Sequence, residues 1–554
     1  MPRIERAEPT RLRATRNTAL FLAALGLASS RLHAQAPTAA PDPVLQPQVS
    51  ALLTGPGSRL WTYSSAVENW IGRVVSVGNG GTEVLSQFGP LTDYIRMLSS
   101  YDGDPALPAW QVQESSPTLH HSVDSAEDHD RHVCLYDRPE PGNPTLRRVV
   151  LRKYERSQSN ADWSYEWPVL TNGHPQLYTR ISKDGQTIVA VVHNIYTGKE
   201  DVAVFGPSSN APLRTFSVDV LGPAKMIELS ADGRILAVPG DIRLLLADTT
   251  TMATLFTTTL FSQNFLAHGL SGDGSIYCYG GNNFVKVLRR SATTGTYSLA
   301  YTNTLAGNCY CDHLDVSADG STVACAFNFT DNWNKVVVQA LDLNTYALTM
   351  TDTVIGSGML QNVCSSVSVS QNGSRFAIGL WGDELGQSPE VRVYERNAST
   401  PLWTYDLPGS VNELDLSADG RRLAVASKAV HANIVGGGGR IDLFQVGDED
   451  ISVAGQPHAG SAVTISTRGR PTSPAILLLA PSLANSPITF PTLGTLYLSR
   501  TTLSTMPMGT FDAQGLASVS LTLPATVGTT LYLQGYSSSP RRLGQSFLKV
   551  TTLP

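Results

Sequence analysis

The four residues Ser417-Ala418-Asp419-Gly420 are one of six copies of a Ser-x-Asp-Gly or Ser-x-Asn-Gly pattern that recurs at nearly even spacing in this chain of 554 residues. An Asp-Gly or Asn-Gly pair favours a tight turn between two strands, because glycine accepts the positive φ that such turns require. The glycines of the six copies are Gly185, Gly233, Gly274, Gly320, Gly373 and Gly420, at intervals of 48, 41, 46, 53 and 47 residues. One structural unit is therefore repeated along the chain.

Each repeat contains four short segments with the composition of β-strands. Around Gly320 these segments cover residues 313–316, 322–326, 335–341 and 347–354, and the last two are rich in β-branched residues. A period of 40 to 50 residues with four strands per unit is typical of the blades of a β-propeller. The pattern predicts an all-β protein with a propeller domain over residues 58–446.

Two weaker repeats precede the six, with turns at Asn79-Gly80 and near Asp130. Together they predict eight blades, with seven as the alternative. The stretch Leu60-Trp61-Thr62-Tyr63 nearly duplicates Leu402-Trp403-Thr404-Tyr405, the outer strand of the seventh repeat. We therefore expect this N-terminal strand to complete the last blade and to close the ring, which leaves no unpaired strand edge at the junction.

The stretch from Asp415 to Ala426, with the sequence DLSADGRRLAVA, resembles the repeat of the YVTN and WD40-like bacterial β-propellers. The resemblance covers about residues 59–446. It implies the propeller fold but no single activity, because such propellers include quinoprotein and cytochrome-type oxidoreductases, lactonases and non-catalytic binding proteins.

The composition changes after residue 446. An acidic linker is predicted over residues 447–458, and residues 459–554 contain short alternating apolar runs separated by glycine and proline. This spacing of strands predicts a small β-sandwich of immunoglobulin-like type. The predicted sandwich is similar to accessory modules at the ends of secreted bacterial proteins.

The N-terminal residues predict export. Five arginines within residues 3–16 precede an apolar run over residues 19–28, and small residues follow it. This order is typical of a signal peptide, here predicted over residues 1–36 and followed by a proline-rich linker over residues 37–57. A run of about ten apolar residues is too short to span a bilayer. We predict a secreted protein, located in the periplasm, at the cell surface or outside the cell.

The rest of the sequence excludes several function classes and leaves others open. A net charge of −6 over 554 residues makes nucleic acid an unlikely partner. The chain has no Gly-x-Ser-x-Gly, His-Glu-x-x-His, phosphate-binding or haem-attachment motif. We therefore predict no catalytic residue and no cofactor, and interpret the protein as a binding or scaffolding module for a protein or a glycan. The alternative is an exported propeller enzyme, either a lactonase-like hydrolase or an oxidoreductase that uses a metal or a quinone.

A binding face is predicted where loops precede the first strands and follow the second strands of the blades. Its aromatic rings could stack on sugars or on peptide side chains. The candidate residues of this face are Trp70, His193, Asn194, His313, Trp333, Trp381, Asp383 and His431.

The densest group of histidines is the candidate for a metal site. Imidazole nitrogens on paired strands are ligands for zinc or copper. The candidate ligands are His120, His121, His129 and His132. A solvated turn with surplus charge is the favoured interpretation, because His120 and His121 point to opposite faces of their strand.

The six cysteines of an exported protein are candidates for disulfides. Cys311 and Cys364 each precede their turn glycine by nine residues, so they occupy equivalent positions on adjacent inner strands. A Cys311–Cys364 disulfide is predicted, with Cys309–Cys364 as the alternative. The other three cysteines follow their turns on second strands, where buried thiols are expected.

Overall fold

The fold is all-β. The computed structural model of the chain describes residues 58–64, 70–78, 83–90, 97–102, 110–113, 122–127, 129–155, 159–168, 171–172, 176–224, 226–259, 267–331, 333–358, 362–431, 438–447, 451–455, 457–469, 472–490, 493–512, 515–538 and 541–552. Within these ranges the regular elements are strands, and none of the described residues forms a helix capable of crossing a membrane. Beyond residue 53 the chain divides into two compact units, Thr54–Asp448 with Asn485–Ile488 and Glu449–Ala484 with Thr489–Pro554.

The larger unit consists of eight antiparallel sheets among the described residues. The strand β1 (Ser58–Ser64) belongs to the last of them. The strands of the first four sheets are β2 (Trp70–Val77), β3 (Glu83–Pro90), β4 (Met97–Asp102) and β5 (Trp110–Gln113); β6 (Ser122–Ser125), β7 (Arg131–Glu140), β8 (Asn143–Glu155), β9 (Trp163–Glu166) and β10 (Thr171–Asn172); β11 (Leu177–Ile181), β12 (Ile188–Asn194), β13 (Lys199–Phe205) and β14 (Arg214–Val218); and β15 (Glu228–Leu229), β16 (Ile235–Pro239), β17 (Arg243–Asp248) and β18 (Thr254–Thr259).

The other four sheets follow in chain order. Their strands are β19 (His268–Leu270), β20 (Ile276–Gly281), β21 (Phe284–Arg290) and β22 (Tyr297–Thr304); β23 (Cys309–Val316), β24 (Thr322–Phe329), β25 (Lys335–Asp342) and β26 (Leu348–Ile355); β27 (Cys364–Val369), β28 (Arg375–Leu380), β29 (Val391–Glu395) and β30 (Trp403–Tyr405); and β31 (Val411–Leu416), β32 (Arg422–Lys428) and β33 (Gly439–Gln445), with β1 as the fourth strand. Six of the eight sheets are four-stranded meanders of consecutive strands, whereas in the second sheet β9 and β10 both pair with β8, and in the last sheet β1 pairs with β33.

The ring is closed by β1, as the sequence predicts. This strand pairs antiparallel with β33, with Trp61 opposite Leu443 and Arg59 opposite Phe444. Thr62 Oγ1 also donates a hydrogen bond to the buried carboxylate of Asp442. The last sheet therefore gains its outer strand from the beginning of the propeller unit, and the two ends of the repeat array are joined by backbone hydrogen bonds.

Apolar clusters join each sheet of the larger unit to the next. The described residues form a cluster at every one of the junctions from the first sheet to the last, and a further cluster joins the last sheet to the first. At that final junction Ile441 and Leu443 pack with Val75 and Val84. Sheets that follow one another and return to the first define a β-propeller, and burial of these side chains is the main force that holds it together.

The repeated turn is built by its serine. Ser417 Oγ donates to Asp419 Oδ1 at 2.8 Å and accepts from the Arg422 backbone N–H at 3.0 Å. Gly420 has a φ of 69°, and the other five turn glycines have φ between 63° and 71°. The same pair of side-chain bonds occurs around Ser317. The recurrence of serine, acid or amide, and glycine therefore follows from one hydrogen-bonded turn geometry.

The second position of these turns links one sheet to the next through the backbone. Lys183 N–H donates to Ala231 O at 3.1 Å, Ala231 N–H to Gly272 O at 2.8 Å, and Gly272 N–H to Ala318 O at 2.9 Å. Gln371 N–H likewise donates to the carbonyl of the next turn at 2.9 Å. Because the link between sheets is made by backbone groups, the side chain at this position varies from copy to copy.

The weak second repeat uses a histidine where the six regular repeats use glycine. His129 has a φ of 55°, and its N–H donates to Ala126 O at 2.9 Å, as Gly185 N–H donates to Ser182 O in the next repeat. The residue equivalent to glycine is therefore His129 and not Asp130. Histidine is among the residues that tolerate the left-handed region, so the turn persists without its usual sequence.

Three further sheets occur among the described residues after residue 450, and Asn485–Ile488 in the third of them belongs to the larger unit. Their strands are β34 (Ile451–Ala454), β35 (Ala462–Arg468) and β40 (Leu516–Thr522); β36 (Pro474–Ala480), β39 (Ser504–Thr510), β41 (Thr530–Ser538) and β42 (Arg541–Thr551); and β37 (Leu483–Phe490) and β38 (Gly494–Leu498). The first two of these sheets share one apolar cluster, to which Ile465 and Leu477 contribute. Strand β34 lies within residues that the sequence assigned to the linker.

Candidate functional site

A cavity of about 500 Å³ lies where the inner strands of the sixth and seventh sheets begin. We call it the aromatic cavity. Its lining residues are Tyr310, Asp312, His313, Trp333, Val363, Cys364, Ser365, Trp381 and Asn412. They come from β23, from the segments after β24 and β28, and from the beginnings of β27 and β31. The cavity contains three residues of the predicted binding face, namely His313, Trp333 and Trp381.

Three aromatic side chains form much of the wall. The rings of Tyr310 and Trp333 meet edge to face, with centroids 5.8 Å apart and an interplanar angle of 67°. Trp333 is 39% exposed, and it follows a turn in which its N–H donates to Phe329 O at 3.2 Å. The Trp381 N–H donates to Val363 O at 2.9 Å, which fixes the third ring to the beginning of the seventh sheet.

One carboxylate accompanies these rings. Asp312 Oδ2 accepts a hydrogen bond from Asn328 Nδ2 at 3.3 Å and lies 3.9 Å from His313 Nε2. The buried Oδ1 has no hydrogen-bond partner among the residues that the structure describes. Burial raises the pKa of Asp312 and lowers the pKa of His313. The histidine is therefore neutral near pH 7.

Asn328 holds this carboxylate in position. Its Oδ1 accepts from the Cys364 N–H at 2.9 Å, and its Nδ2 reaches both Asp312 Oδ2 and the Cys364 carbonyl oxygen, the latter at 3.4 Å. The side chain of Asn328 is completely buried. A single amide thus connects the sixth and seventh sheets behind the cavity wall, and limits the orientations that Asp312 can adopt.

Other residues of the predicted face lie in separate local clusters. His193 Nδ1 is 2.8 Å from Glu200 Oε1, and Asn194 Nδ2 donates to Asp201 Oδ2 at 2.7 Å. Trp70 is in β2, but its side chain is outside the described part of the chain. None of the residues in these pairs lines the aromatic cavity.

Asp383 and His431 also have local partners. Asp383 is completely buried and accepts backbone N–H groups of Ser357 at 2.6 Å and Gln387 at 2.7 Å, so it stabilises loop conformations. His431 Nδ1 is 3.3 Å from Glu390 Oε1, a carboxylate whose pKa burial raises to about 8. The sequence analysis assigned these residues to one binding face because of their positions in the repeat. Whether they line a common cavity depends on how their side chains pack.

A second cavity, of about 310 Å³, lies at the turn ends of the inner strands. We call it the turn-end channel. Asp124, Asp315 and Asp415 line it, and each accepts a backbone N–H of the next sheet at 2.8 Å, from Ile181, Val369 and Val77 respectively. These carboxylates therefore fasten neighbouring sheets together.

The sequence contains a signal for these carboxylates that was missed. Asp315 and Asp415 each precede their turn glycine by five residues. Burial raises the pKa of Asp315 to about 7 and that of Asp415 to about 6. Arg180 also lines the channel, 3.6 Å from Glu228 Oε1, so the charges of the channel are partly compensated.

The structure describes two of the four histidines of the candidate metal site. His120 and His121 are outside the described residues, whereas the rings of His129 and His132 meet edge to face at 5.6 Å. Ser125 Oγ lies 2.7 Å from His132 Nδ1. Among the described residues no group of three or more histidine, cysteine, aspartate or glutamate side chains is arranged to hold a metal ion.

The predicted disulfide is wrong in both of its forms. Cys311 and Cys364 are buried free thiols, and so is Cys309. Cys309 and Cys311 pack in the cluster between the fifth and sixth sheets, whereas Cys364 packs in the cluster between the sixth and seventh. The sixth sheet therefore separates the thiols, although their positions in the repeat are equivalent.

Comparisons with known proteins add little to this description. No family model matches the chain, and no curated protein matches its sequence. Among solved structures, the chain is similar to the β-propeller domain of Cps50 (Swd1) from Myceliophteria thermophila, with 10% sequence identity, a TM-score of 0.42, and coverage of 71% of this chain and 100% of that domain. The propeller assignment above depends on the sheets and their order, and not on this similarity.

Proposed function

We propose that this protein is an exported, non-catalytic binding module that holds a protein or a glycan partner in the aromatic cavity. The observation that carries the proposal is the cavity itself, which Tyr310, Trp333 and Trp381 line together with the Asp312 carboxylate. Amphipathic rings beside a few fixed polar groups are the usual composition of a recognition site. The volume of about 500 Å³ suits a sugar residue or a side chain of a partner.

The proposal includes an architecture. The propeller has eight blades of the YVTN or WD40-like type, supported by the eight sheets of the described residues and by the closure through β1. The smaller unit is an immunoglobulin-like sandwich, supported by the apolar cluster that two of its sheets share. Export is supported by the basic and apolar N-terminal sequence.

A binding experiment with matched variants tests the function. Trp333 has a φ of 57°, which asparagine tolerates, so Trp333→Asn removes the ring at small conformational cost. Met252→Asn is the control, because Met252 has a φ of 61°, is 46% exposed, and is not among the residues lining the cavity. On glycan and peptide arrays, we expect the native protein and Met252→Asn to bind the same partner, and Trp333→Asn to lose at least about tenfold in affinity.

The competing enzyme function has its own measurement. Metal analysis and an absorption spectrum of the purified full-length chain would reveal a stoichiometric transition metal or a quinone. Either result, or turnover of lactones by the native protein, would overturn the proposal of a non-catalytic module. A partner whose affinity is equal for Trp333→Asn and the native protein would instead contradict the assignment of the aromatic cavity as the binding site.

A further inference from the structure

We propose that the aromatic cavity recognises an alkylated ammonium group that retains one N–H, such as a tertiary ammonium. This inference rests on the proposed function, because it assigns a ligand class to the same cavity. Three features of the cavity carry it: the sign of its charge, the chemistry of its walls, and one carboxylate oxygen.

The charge of the cavity suits a cation. Among the described residues that line it, Asp312 is the only acidic one, and none is a lysine or an arginine. His313 is the one basic residue of the described lining, and burial lowers its pKa, which keeps it neutral near pH 7. Among the described lining residues an anionic ligand would meet the Asp312 carboxylate and no positive charge, whereas a cation would complement that carboxylate and oppose the effect of burial on its pKa.

The walls suit a cation with an apolar surface. Indole and phenol rings attract cations over their faces, and alkyl groups on nitrogen pack against the same faces. Trp381 already has such a partner within the protein, because Lys428 Nζ lies 5.6 Å from its ring centroid. Lys428 is not among the described lining residues of the cavity, whereas Trp381 is.

The carboxylate adds a requirement for one donor. Asp312 Oδ2 is engaged by Asn328, whereas the buried Oδ1 has no hydrogen-bond partner in the described part of the chain. A buried acceptor without a donor is costly, and a charge-assisted N–H bond removes that cost. Because Oδ1 has almost no exposed surface, this bond requires the Asp312 carboxylate to turn that oxygen towards the cavity. A tertiary ammonium then supplies the bond and still presents three alkyl groups to the rings, whereas a quaternary ammonium has no N–H to donate.

Three small probes separate these contributions. Trimethylammonium has the charge, the methyl groups and the N–H; tetramethylammonium lacks the N–H; and tert-butanol has a similar shape without the charge. Calorimetric titration of the full-length protein should give the tightest binding for trimethylammonium. We expect binding about tenfold weaker for tert-butanol and severalfold weaker for tetramethylammonium. A dimethyl-lysine peptide, titrated beside free trimethylammonium, tells a side-chain source from a free amine.

Asp312→Asn is the decisive variant. It keeps an oxygen for Asn328 and removes the charge, so the protein should fold and lose about tenfold in affinity for trimethylammonium with little change for tert-butanol. Asp219→Asn is the matched control, because Asp219 is outside the cavity lining and its side chain is 42% exposed. An unfolding curve for each variant verifies that the comparison is between folded proteins.

The possible failures are distinct. If tert-butanol binds as well as trimethylammonium, or Asp312→Asn leaves their ratio unchanged, the inference of a cation is wrong. If methyl glucoside binds instead and Trp333→Asn abolishes that binding, the cavity is a sugar site; the ligand class is then wrong while the proposed binding function stands. If the array partner binds equally to Trp333→Asn and the native protein, the proposed function fails as well.

Discussion

Two aspartates on the same strand show how differently the two ends of the propeller are built. Asp315, at the turn end of β23, accepts a backbone N–H of the next sheet at 2.8 Å. Asp312, three residues earlier, lines the aromatic cavity and leaves Oδ1 without a partner among the described residues. The first arrangement recurs at Asp124 and Asp415, whereas the aromatic cavity is built by side chains of particular sheets. Polar groups that recur with the repeat stabilise the fold, and those outside the repeat are the candidates for function.

The largest expected effect is at a turn-end carboxylate. Asp415→Ala leaves the Val77 N–H without its acceptor and removes the partner of Ser368 Oγ, at 2.8 and 3.2 Å in the native protein. We expect the free energy of unfolding to fall by about 2–3 kcal/mol. Asp312→Ala should cost less than about 1 kcal/mol, since Asn328 retains its bonds to the Cys364 backbone. Urea unfolding followed by tryptophan fluorescence measures both changes.

One result would contradict this contrast, and one further variant sharpens it. Equal decreases in the free energy of unfolding for Asp415→Ala and Asp312→Ala would mean that the two carboxylates contribute equally to stability. Asp415→Asn sharpens the test, because it keeps an oxygen that can accept the Val77 N–H. It should recover most of the stability that alanine removes.

A smaller effect is expected at two glycines with similar backbone conformation. Gly373 is a turn-end glycine with a φ of 63°, and an added Cβ would lie 2.4 Å from Thr322 Oγ1 of the neighbouring sheet. Gly198, in the turn between β12 and β13, has a φ of 66°, and nothing lies within 4 Å of its Cβ position. Alanine costs about 1 kcal/mol at either site for the left-handed backbone. At Gly373 we expect about 1–2 kcal/mol more, because the contact with the neighbouring sheet must relax.

Unfolding curves for Gly373→Ala and Gly198→Ala measure that difference directly. The two variants share the backbone penalty, so subtraction isolates the contact between sheets. A difference near zero would show that neighbouring sheets can separate slightly at the turn end without loss of stability. The close packing described there would then not be a major source of stability.

The smallest effect concerns pH. Burial raises the pKa of Glu413 to about 8, and Asp415, Arg180 and Asp124 are its charged neighbours. In the unfolded chain a glutamate titrates near about 4.3, so between these values the folded protein holds a proton that the unfolded chain has released. Stability is therefore greatest below about pH 4.3 for this group, and it declines as pH rises towards 8.

Glu413→Gln should flatten this decline. Melting temperatures between pH 5 and pH 8.5 give the measurement, and we expect the native protein to lose on the order of 2 °C more than the variant. Some slope remains in the variant, because Asp315 and Asp415 also have raised pKa values, of about 7 and 6. A native protein whose stability rises over this range would contradict the assigned direction.

Much of the fold was predictable because each repeated turn is stabilised by residues that are close together in the sequence. The serine, the acid or amide, and the glycine of each turn are adjacent in sequence, so their spacing reveals the units directly. The closure was predictable for a related reason, since Trp61-Thr62-Tyr63 copies Trp403-Thr404-Tyr405. The weak repeats were harder, because His129 takes the left-handed position that glycine occupies elsewhere.

The candidate site was predictable only in part. Trp333 and Trp381 could be placed near one end of the blades from their position in the repeat. Tyr310 and Asp312 could not, because whether such side chains reach a shared cavity depends on packing between sheets. The disulfide prediction failed for the same reason: equivalent positions in adjacent repeats are separated by the thickness of a sheet.

The pairing of β1 with β33 has a consequence for the order of folding. Thr62 and Asp442, which are hydrogen-bonded to each other, are separated by 380 positions. Such a contact carries a large loop-closure cost and raises the contact order, so it should be among the last to form. As the chain emerges from its N-terminal end, β1 remains unpaired until β33 is also available. During that interval both exposed strand edges are templates for misassembly, and protection of them by a chaperone would matter most then.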